Sequence, residues 1–172
     1  MLVGVISDTH DNQANVVRAA RLFKSHGVSL VVHLGDIVSP FTLRRLVAEL
    51  GGARVEAVFG NNDGEKSLLH RVAGELGVGL GEPPRSIVVD GRRLLLLHGL
   101  GGYGETLELV VALAESKRWD AVLYGHTHVA HLDYVRRVLV LNPGDASGYL
   151  GKPSVALLDT KSMKARLVPL EG

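Results

Sequence analysis

Short apolar segments that end in polar side chains recur five times along this 172-residue chain. Each has the length of one strand, and nearly continuous apolar sequence is typical of a strand buried on both faces of a parallel sheet. The segments cover residues 2–6, 30–34, 55–59, 94–97 and 121–124. In sheets of parallel strands, ligands bind beyond the carboxyl ends of the strands. The polar residues that follow the five segments are therefore expected to meet at one edge of the fold.

Amphipathic stretches separate these segments in the first half of the chain. Residues 12–26 carry apolar side chains at helical spacing, and the pair Ser39-Pro40 is suited to the start of a second helix, which ends at Gly51. Further helices are predicted for residues 65–76 and 104–117. Strands that alternate with helices predict a parallel sheet whose strands are connected across its face.

The second half of the chain has a different pattern. Asp90-Gly91 lies between two apolar runs, which is a strong signal for a β-hairpin. Further strands are predicted for residues 129–135, 138–141, 154–158 and 165–168. This half is expected to form a mostly antiparallel sheet, and residues 1–172 are expected to form one domain of the α/β (α+β) class.

Composition narrows the classes of function. Lys plus Arg is 19 and Asp plus Glu is 18, so the formal net charge is +1 and a surface for long nucleic acid is not expected. The chain has no Cys, which excludes a disulfide framework, a zinc finger and a Cys nucleophile. We see no secretion signal and no apolar run long enough for a membrane span, so a cytoplasmic protein without a membrane partner is expected.

The residues after the five segments form a coherent set of metal ligands. They are more numerous than one tetrahedral site needs, and they suit two ions that share a bridging carboxylate, about 3.5–4 Å apart. Nitrogen and oxygen donors without sulfur favour Mn, Fe, Zn, Co or Ni. The same seven residues are expected to bind the metals and to carry the catalysis: Asp8, His10, Asp36, Asn61, His98, His126 and His128. Such a centre would supply a bridging hydroxide for in-line attack on phosphorus, with no protein nucleophile.

The order of these motifs resembles the signature of calcineurin-like metallophosphoesterases: D-x-H, G-D, G-N-x-D, H-G and G-H-x-H. The similarity runs from about Leu2 to Asp145, and the spacing is most similar to the small prokaryotic phosphodiesterases. The resemblance implies a four-layer αββα sandwich. It implies a first metal on Asp8, His10, Asp36 and His128 and a second on Asp36, Asn61, His98 and His126. Mn²⁺ is the metal it favours, with Ni²⁺, Zn²⁺, Fe and Co²⁺ as alternatives.

The chain departs from that family pattern at three positions. Asn62 stands where many relatives have His, Leu100 stands where they often have a second His, and Asp145 replaces the Ser of an N-P-G-S segment. Asn can donate a hydrogen bond but cannot release a proton, so weak activity on alkyl leaving groups is expected. Asn62, Asn12, Leu100 and Tyr103 are the expected substrate contacts, and the glycine-rich loop 99–104 is a candidate lid.

Several polar residues have a simpler interpretation. Asn12 is expected to cap the first helix and Asp63 the third, although either could also serve the site. His33 is expected in the core, or as a residue that orients a metal-bound carboxylate. His26, His70 and His131 are interpreted as structural or solvated.

The leading hypothesis for function is a phosphodiesterase that acts on a small phosphate ester. A phosphomonoesterase or nucleotidase could use the same centre, and a nuclease is disfavoured by the near-neutral charge. The alternative outside enzymes is a protein-interaction scaffold, since the retromer scaffold subunit is similar in fold and size. The sequence does not identify the natural substrate, and it leaves both a monomer and a homo-oligomer as alternatives.

Overall fold

The computed structural model describes residues 1–170, which form four helices and eleven strands. The helices are α1 (Gln13–Ser25), α2 (Pro40–Leu50), α3 (Lys66–Leu76) and α4 (Tyr103–Glu115). The strands are β1 (Leu2–Ile6), β2 (Leu30–His33), β3 (Arg54–Val58), β4 (Gly79–Gly81), β5 (Arg85–Val89), β6 (Arg92–Leu96), β7 (Ala121–Leu123), β8 (His131–Val135), β9 (Val138–Asn142), β10 (Ser154–Asp159) and β11 (Lys164–Pro169).

The predicted helices all form, with ends that follow from local chemistry. Asn12 caps α1 as predicted, because its side chain accepts a hydrogen bond from the Asn15 N–H. Pro40 occupies the first turn of α2, and Gly51 ends that helix in the left-handed conformation at φ 67°. Ser39 is the N-cap residue by position, but its hydroxyl donates to Asp11 Oδ1 rather than to the helix.

The strands form two sheets, in the orders β11-β10-β1-β2-β3-β4 and β5-β6-β7-β9-β8. In the first sheet β1, β2 and β3 are parallel, as predicted, and the unpredicted β4 continues the parallel order. Strands β10 and β11 add to this sheet in antiparallel register. In the second sheet β6, β7 and β9 are parallel, and β5 and β8 are antiparallel at the edges.

The expected antiparallel sheet from the second half is wrong in two respects. The last two strands join the first sheet, where Val3 of β1 lies opposite Leu158 of β10. The centre of the second sheet is parallel because α4 provides the long crossover that parallel strands need. Apolar patterning identifies a strand but does not identify the strand with which it pairs. Strand β4 is not predicted, because three residues are too few to give a pattern.

Three apolar cores hold the layers together. One core lies between the two sheets and includes Val5 from the first and Leu94 from the second. A second core packs helices such as α1, through Phe23, on the outer face of the first sheet. The third packs α4, through Val110, on the outer face of the second sheet. The order helix, sheet, sheet, helix is the predicted αββα sandwich. None of the helices in residues 1–170 is long and apolar enough to cross a membrane.

Candidate metal centre

Four side chains from three strand ends meet in what we call the first group: Asp8, His10, Asp36 and His128. One ligand atom from each lies within 4.8 Å of the others. His10 Nε2 is 3.4 Å from Asp36 Oδ2, and His128 Nε2 is 3.6 Å from Asp8 Oδ1. Asp8 and His10 follow β1, Asp36 follows β2, and His128 follows β7, so both sheets contribute to the group.

A second group lies beside the first and comprises Asp36, Asn61, His98 and His126. His98 Nε2 is 3.5 Å from Asp36 Oδ1 and 2.9 Å from Asn61 Oδ1. His126 Nδ1 is 2.8 Å from the same amide oxygen. The structure thus brings together all seven residues that the sequence nominates as ligands.

Asp36 belongs to both groups, and its two oxygens face different ways. Oδ2 faces His10 in the first group, and Oδ1 faces His98 in the second. Asn62 holds the carboxylate in this orientation, because its backbone N–H and its Nδ2 donate to the two oxygens, each at 2.8 Å. This is the arrangement that a carboxylate shared by two cations requires.

The backbone at the site is strained. Five of the seven residues have positive φ, a region that non-glycine residues rarely occupy: Asp8 (55°), His10 (40°), Asp36 (55°), His126 (69°) and His128 (57°). Each such residue costs of order 1–3 kcal/mol and persists only where the surrounding structure enforces it. The fold therefore bends these loops so that side chains from neighbouring positions point to one place.

Two glycines permit the close approach of the loops. Gly35 has φ 98°, and a Cβ there would lie 2.6 Å from His98 Nδ1. A Cβ on Gly125 would overlap the Ser7 hydroxyl beside Asp8. Side chains at these positions would push apart the strand ends that carry the two groups.

The first group fits a divalent cation because its polar atoms are not satisfied by the protein. Asp8 is fully buried, yet its Oδ1 has no hydrogen-bond partner among the described residues, and His10 Nε2 has none either. Buried polar groups are normally paired, and an unpaired one is costly. A cation bound by these atoms would remove that cost, and the mixed oxygen and nitrogen donors suit Mn, Fe, Zn, Co or Ni.

The two carboxylates have opposite pKa shifts. Burial raises the pKa of Asp8, and the nearby His98 and His128 only partly offset this effect. Burial would also raise the pKa of Asp36, but the hydrogen bond and charge of His98, with the hydrogen bonds from Asn62, hold it below its ordinary value. Burial would lower the pKa of His98, but contacts with Asp36 and the charge of Asp8 raise it.

His33 connects the two loops that carry Asp8, His10 and Asp36. It is fully buried, and burial lowers its pKa to about 3, so it is neutral. Its Nδ1 accepts from the Gly35 N–H, and its Nε2 therefore donates to Thr9 Oγ1, 3.1 Å away. The Thr9 hydroxyl in turn donates to the Asp36 carbonyl, which links the loops after β1 and β2.

The expected helix-capping role of Asp63 is wrong. The residue at the N-cap of α3 is Glu65, and Asp63 instead accepts hydrogen bonds from the backbone N–H groups of Asp36, Val38 and Gly60. Burial raises the pKa of Asp63, although these bonds partly offset the effect. Asp63 joins the loops after β2 and β3, and this tertiary role gives no local signal that distinguishes it from a cap.

The four expected substrate contacts lie in different settings. The Asn12 side chain is hydrogen-bonded to the Asn15 N–H and to the Ser147 carbonyl, and Asn62 is bonded to Asp36. Leu100, in the loop before α4, is 64% exposed, and Tyr103, the first residue of α4, is 50% exposed. Two contacts anchor the loop between His98 and Tyr103. The Thr106 hydroxyl accepts from the Leu100 N–H and lies within hydrogen-bond distance of the Leu100 carbonyl. His126 Nε2 lies 2.7 Å from the Gly101 carbonyl.

Sequence reasoning missed two residues in the loop after β9. Asp145 is buried, and its Oδ2 lies 3.3 Å from His128 Nδ1. Burial would raise the pKa of Asp145, but hydrogen bonds from Ser147 and Leu150 and the contact with His128 lower it. Tyr149 is 67% exposed, with its ring centre 6.4 Å from that of His10. The unusual Asp of the N-P-G-D segment was the one available signal.

Comparison with known proteins identifies the class to which this fold and centre belong. Residues 1–163 match the model of the calcineurin-like phosphoesterase superfamily domain. The chain therefore belongs to that superfamily, and it is an enzyme that hydrolyses phosphoric esters.

Individual relatives align with most or nearly all of the chain. Phosphodiesterase MJ0936 of Methanocaldococcus jannaschii is 35% identical over 99% of this chain and 100% of its own length. Phosphodiesterase YfcE of Escherichia coli K12 is 28% identical over 82% of this chain and 77% of its own length.

Solved structures agree with the fold. An archaeal phosphodiesterase has a TM-score of 0.88 at 32% identity and covers 98% of this chain and 99% of its own. Zinc-bound Vps29 of Entamoeba histolytica has a TM-score of 0.68 at 22% identity, with 99% and 100% coverage, and shows the fold alone.

Proposed function

We propose that this chain is a phosphodiesterase with a dinuclear metal centre. The observation that carries the proposal is the orientation of Asp36, whose two oxygens face two separate sets of ligand atoms. The names of the phosphodiesterases from M. jannaschii and E. coli support the same activity.

The first group would hold one cation, and Asn61, His98 and His126 would hold the second together with Asp36. Two divalent cations bound there would neutralise charge on the phosphoryl oxygens and lower the pKa of water to about 7, so that hydroxide is available near neutral pH. Mn²⁺ is the proposed metal, with Ni²⁺, Zn²⁺, Fe and Co²⁺ as alternatives. The residues of the chain bind the ions, orient the loops and contact the substrate.

The charge around the centre favours a diester over a monoester. The proposed ligands lie in five short motifs, which follow β1, β2, β3, β6 and β7. None of these motifs contains Lys or Arg. A monoester has a second negative charge that a specialised site would meet with a cationic side chain. A small diester needs no such contact.

The rim of the centre favours a diester with an aryl group. Leu100, Tyr103 and Tyr149 are all exposed near the ligand loops, and Asn62 supplies no proton to a leaving group. We expect kcat/KM to be much higher for p-nitrophenyl diesters than for dialkyl phosphodiesters. Equal rates for the two classes would refute this expectation.

The test of the proposed function is hydrolysis of bis-p-nitrophenyl phosphate by metal-stripped protein, with Mn²⁺, Ni²⁺, Zn²⁺ or Mg²⁺ added in turn. Asp36→Ala and His128→Ala should abolish the metal-dependent activity. Asp133→Asn, at an exposed position of strand β8, is a control that should retain it. A folded protein that shows no activity with any metal would favour a protein-interaction scaffold of the same fold.

A further inference from the structure

Asp145 contacts the first group through the far side of His128. The imidazole of His128 presents Nε2 to the first group, 3.6 Å from Asp8 Oδ1. It presents Nδ1 to Asp145, 3.3 Å from Oδ2. Nδ1 is buried and forms no hydrogen bond with any described residue, and Oδ2 of Asp145 is the acceptor that it approaches. The ring also stacks on that of His10, with the centroids 5.2 Å apart and the planes 17° apart. His128 thus lies between a buried carboxylate and the proposed metal.

The orientation of the Asp145 carboxylate is fixed by the loop it begins. Oδ1 accepts from the Ser147 N–H at 2.9 Å, from the Ser147 hydroxyl and from the Gly148 N–H at 3.2 Å. Oδ2 accepts from the Leu150 N–H at 2.9 Å. Each of these contacts has the carboxylate as acceptor, and its remaining capacity on Oδ2 faces His128.

A carboxylate that only accepts hydrogen bonds determines which nitrogen of the imidazole carries the proton. An ionised carboxylate has no donor, so a neutral imidazole beside it is favoured with the proton on the facing nitrogen. For His128 that nitrogen is Nδ1, which leaves the Nε2 lone pair directed at the first group. Histidines that bind metals commonly donate their other N–H to a carboxylate in this way.

We propose that Asp145 is a positioning residue for the first metal site, which fixes the tautomer and the ring orientation of His128 so that Nε2 is available as a ligand. The inference rests on the proposed function, because it assigns a role to Asp145 within that centre. Asp145 is not one of the seven proposed ligands. Its role in positioning His128 explains why a carboxylate is present where the N-P-G-S segment of similar proteins has Ser.

The first arm of the test measures Mn²⁺ affinity of metal-stripped protein by titration calorimetry. Asp145→Asn keeps the size of the side chain and an oxygen for the Ser147 and Gly148 N–H groups, but the oxygen that faces His128 and the Leu150 N–H becomes an amide NH2, which cannot accept. We expect it to weaken binding at the tighter site by about 10- to 100-fold, as is typical for residues that support a metal ligand. Asp159→Asn is the matched control, since Asp159 also organises a turn, through Lys161 and Ser162, away from the centre.

Ser147→Ala separates the two contacts of Asp145. It removes the hydroxyl that donates to Oδ1 and leaves the carboxylate beside His128. We expect its Mn²⁺ affinity to stay close to that of the unsubstituted protein. If Ser147→Ala weakens binding as much as Asp145→Asn, the order of the loop is what matters and the proposal is overturned.

The second arm needs no variant of Asp145, so it stands even if Asp145→Asn does not fold. Ring-nitrogen NMR of Zn²⁺-loaded protein, assigned with His128→Asn, should find the proton of His128 on Nδ1. A proton on Nε2, or unchanged Mn²⁺ affinity in folded Asp145→Asn, would overturn the role of Asp145. Absence of metal binding by the unsubstituted protein would instead overturn the proposed function.

Discussion

The two groups of the centre differ in how far the protein itself satisfies their ligand atoms. In the first group, Asp8 Oδ1 and His10 Nε2 are buried without a hydrogen-bond partner. In the second group, the Asn61 amide oxygen already lies within 2.9 Å of His98 Nε2 and within 2.8 Å of His126 Nδ1. A cation in the first group relieves a cost, whereas a cation in the second must replace existing contacts. We therefore expect the first site to bind metal more tightly than the second.

The largest expected effect comes from Asp36, the residue that both groups share. Asp36→Asn keeps the shape of the side chain but removes the charge between the two sites. Metal ions supply several kcal/mol of charge stabilisation in such reactions, and each 1.36 kcal/mol is tenfold in rate, so we expect kcat/KM for bis-p-nitrophenyl phosphate to fall by about a thousandfold. Binding of Mn²⁺ at both sites, measured by calorimetry, should weaken together. Loss of only one binding step would contradict a shared carboxylate.

The difference between the groups can be tested with one histidine from each. We expect two Mn²⁺ binding steps in metal-stripped protein, the first tighter than the second. His10→Ala should weaken the tight step by more than the roughly 10- to 100-fold typical of a supporting residue, and His126→Ala should weaken the second step while leaving the tight one in place. His70→Ala, an exposed histidine on α3, is the control. The reverse assignment of the two steps would break the comparison.

A smaller effect is expected on the stability of the metal-free protein. Asp8→Asn should raise the free energy of unfolding near neutral pH by about 1–3 kcal/mol, the usual cost of a buried unsatisfied group. Burial raises the pKa of Asp8, so the stability that goes with its protonated form is present below the ordinary Asp pKa and is lost as pH rises through the raised value. The advantage of Asp8→Asn should therefore grow from acid to neutral pH in urea unfolding with EDTA.

Asp36→Asn provides the opposite sign in the same experiment. The pKa of Asp36 is lowered, so its ionised form contributes stability above the ordinary Asp pKa that is lost as pH falls through the lowered value. Metal-free Asp36→Asn should be less stable than the unsubstituted protein at neutral pH, and the difference should shrink in acid. Equal signs for the two variants would contradict the contrast between these carboxylates.

The smallest effect is expected at Asp90, far from the centre. Hydrogen bonds from the N-terminal amine and from Thr160 lower the pKa of its exposed carboxyl. Asp90→Asn keeps a residue that suits the hairpin turn before Gly91 and removes only the charge. It should cost less stability than Asp36→Asn near neutral pH, and the cost should disappear as pH falls below the ordinary Asp range. A loss that persists in acid would indicate damage to the turn.

Much of the centre could be predicted from the sequence because its residues lie just after strands. Asp8, Asp36 and Asn61 follow three adjacent parallel strands, so identifying the strands places these residues at one edge. His98 and His126 follow two parallel neighbours in the other sheet. The helices were predictable for a similar reason, since caps and apolar spacing are local.

The rest depends on contacts between segments distant in the chain. Asp63 resembles a helix cap by position, and only the fold shows that its carboxylate binds the backbone of the loop after β2. Asp145 is 17 residues from His128 and meets it because β9 lies beside β7. The antiparallel strands β10 and β11 have ordinary strand sequences, and nothing in them indicates that β10 pairs with β1 rather than with β9.

The most direct test of a shared dinuclear centre is anomalous diffraction at the manganese edge from crystals soaked in Mn²⁺. We expect two peaks about 3.5–4 Å apart, one beside Asp8, His10 and His128 and one beside Asn61, His98 and His126, with Asp36 between them. A single peak at saturating Mn²⁺, or two peaks that do not share Asp36, would contradict the proposed centre.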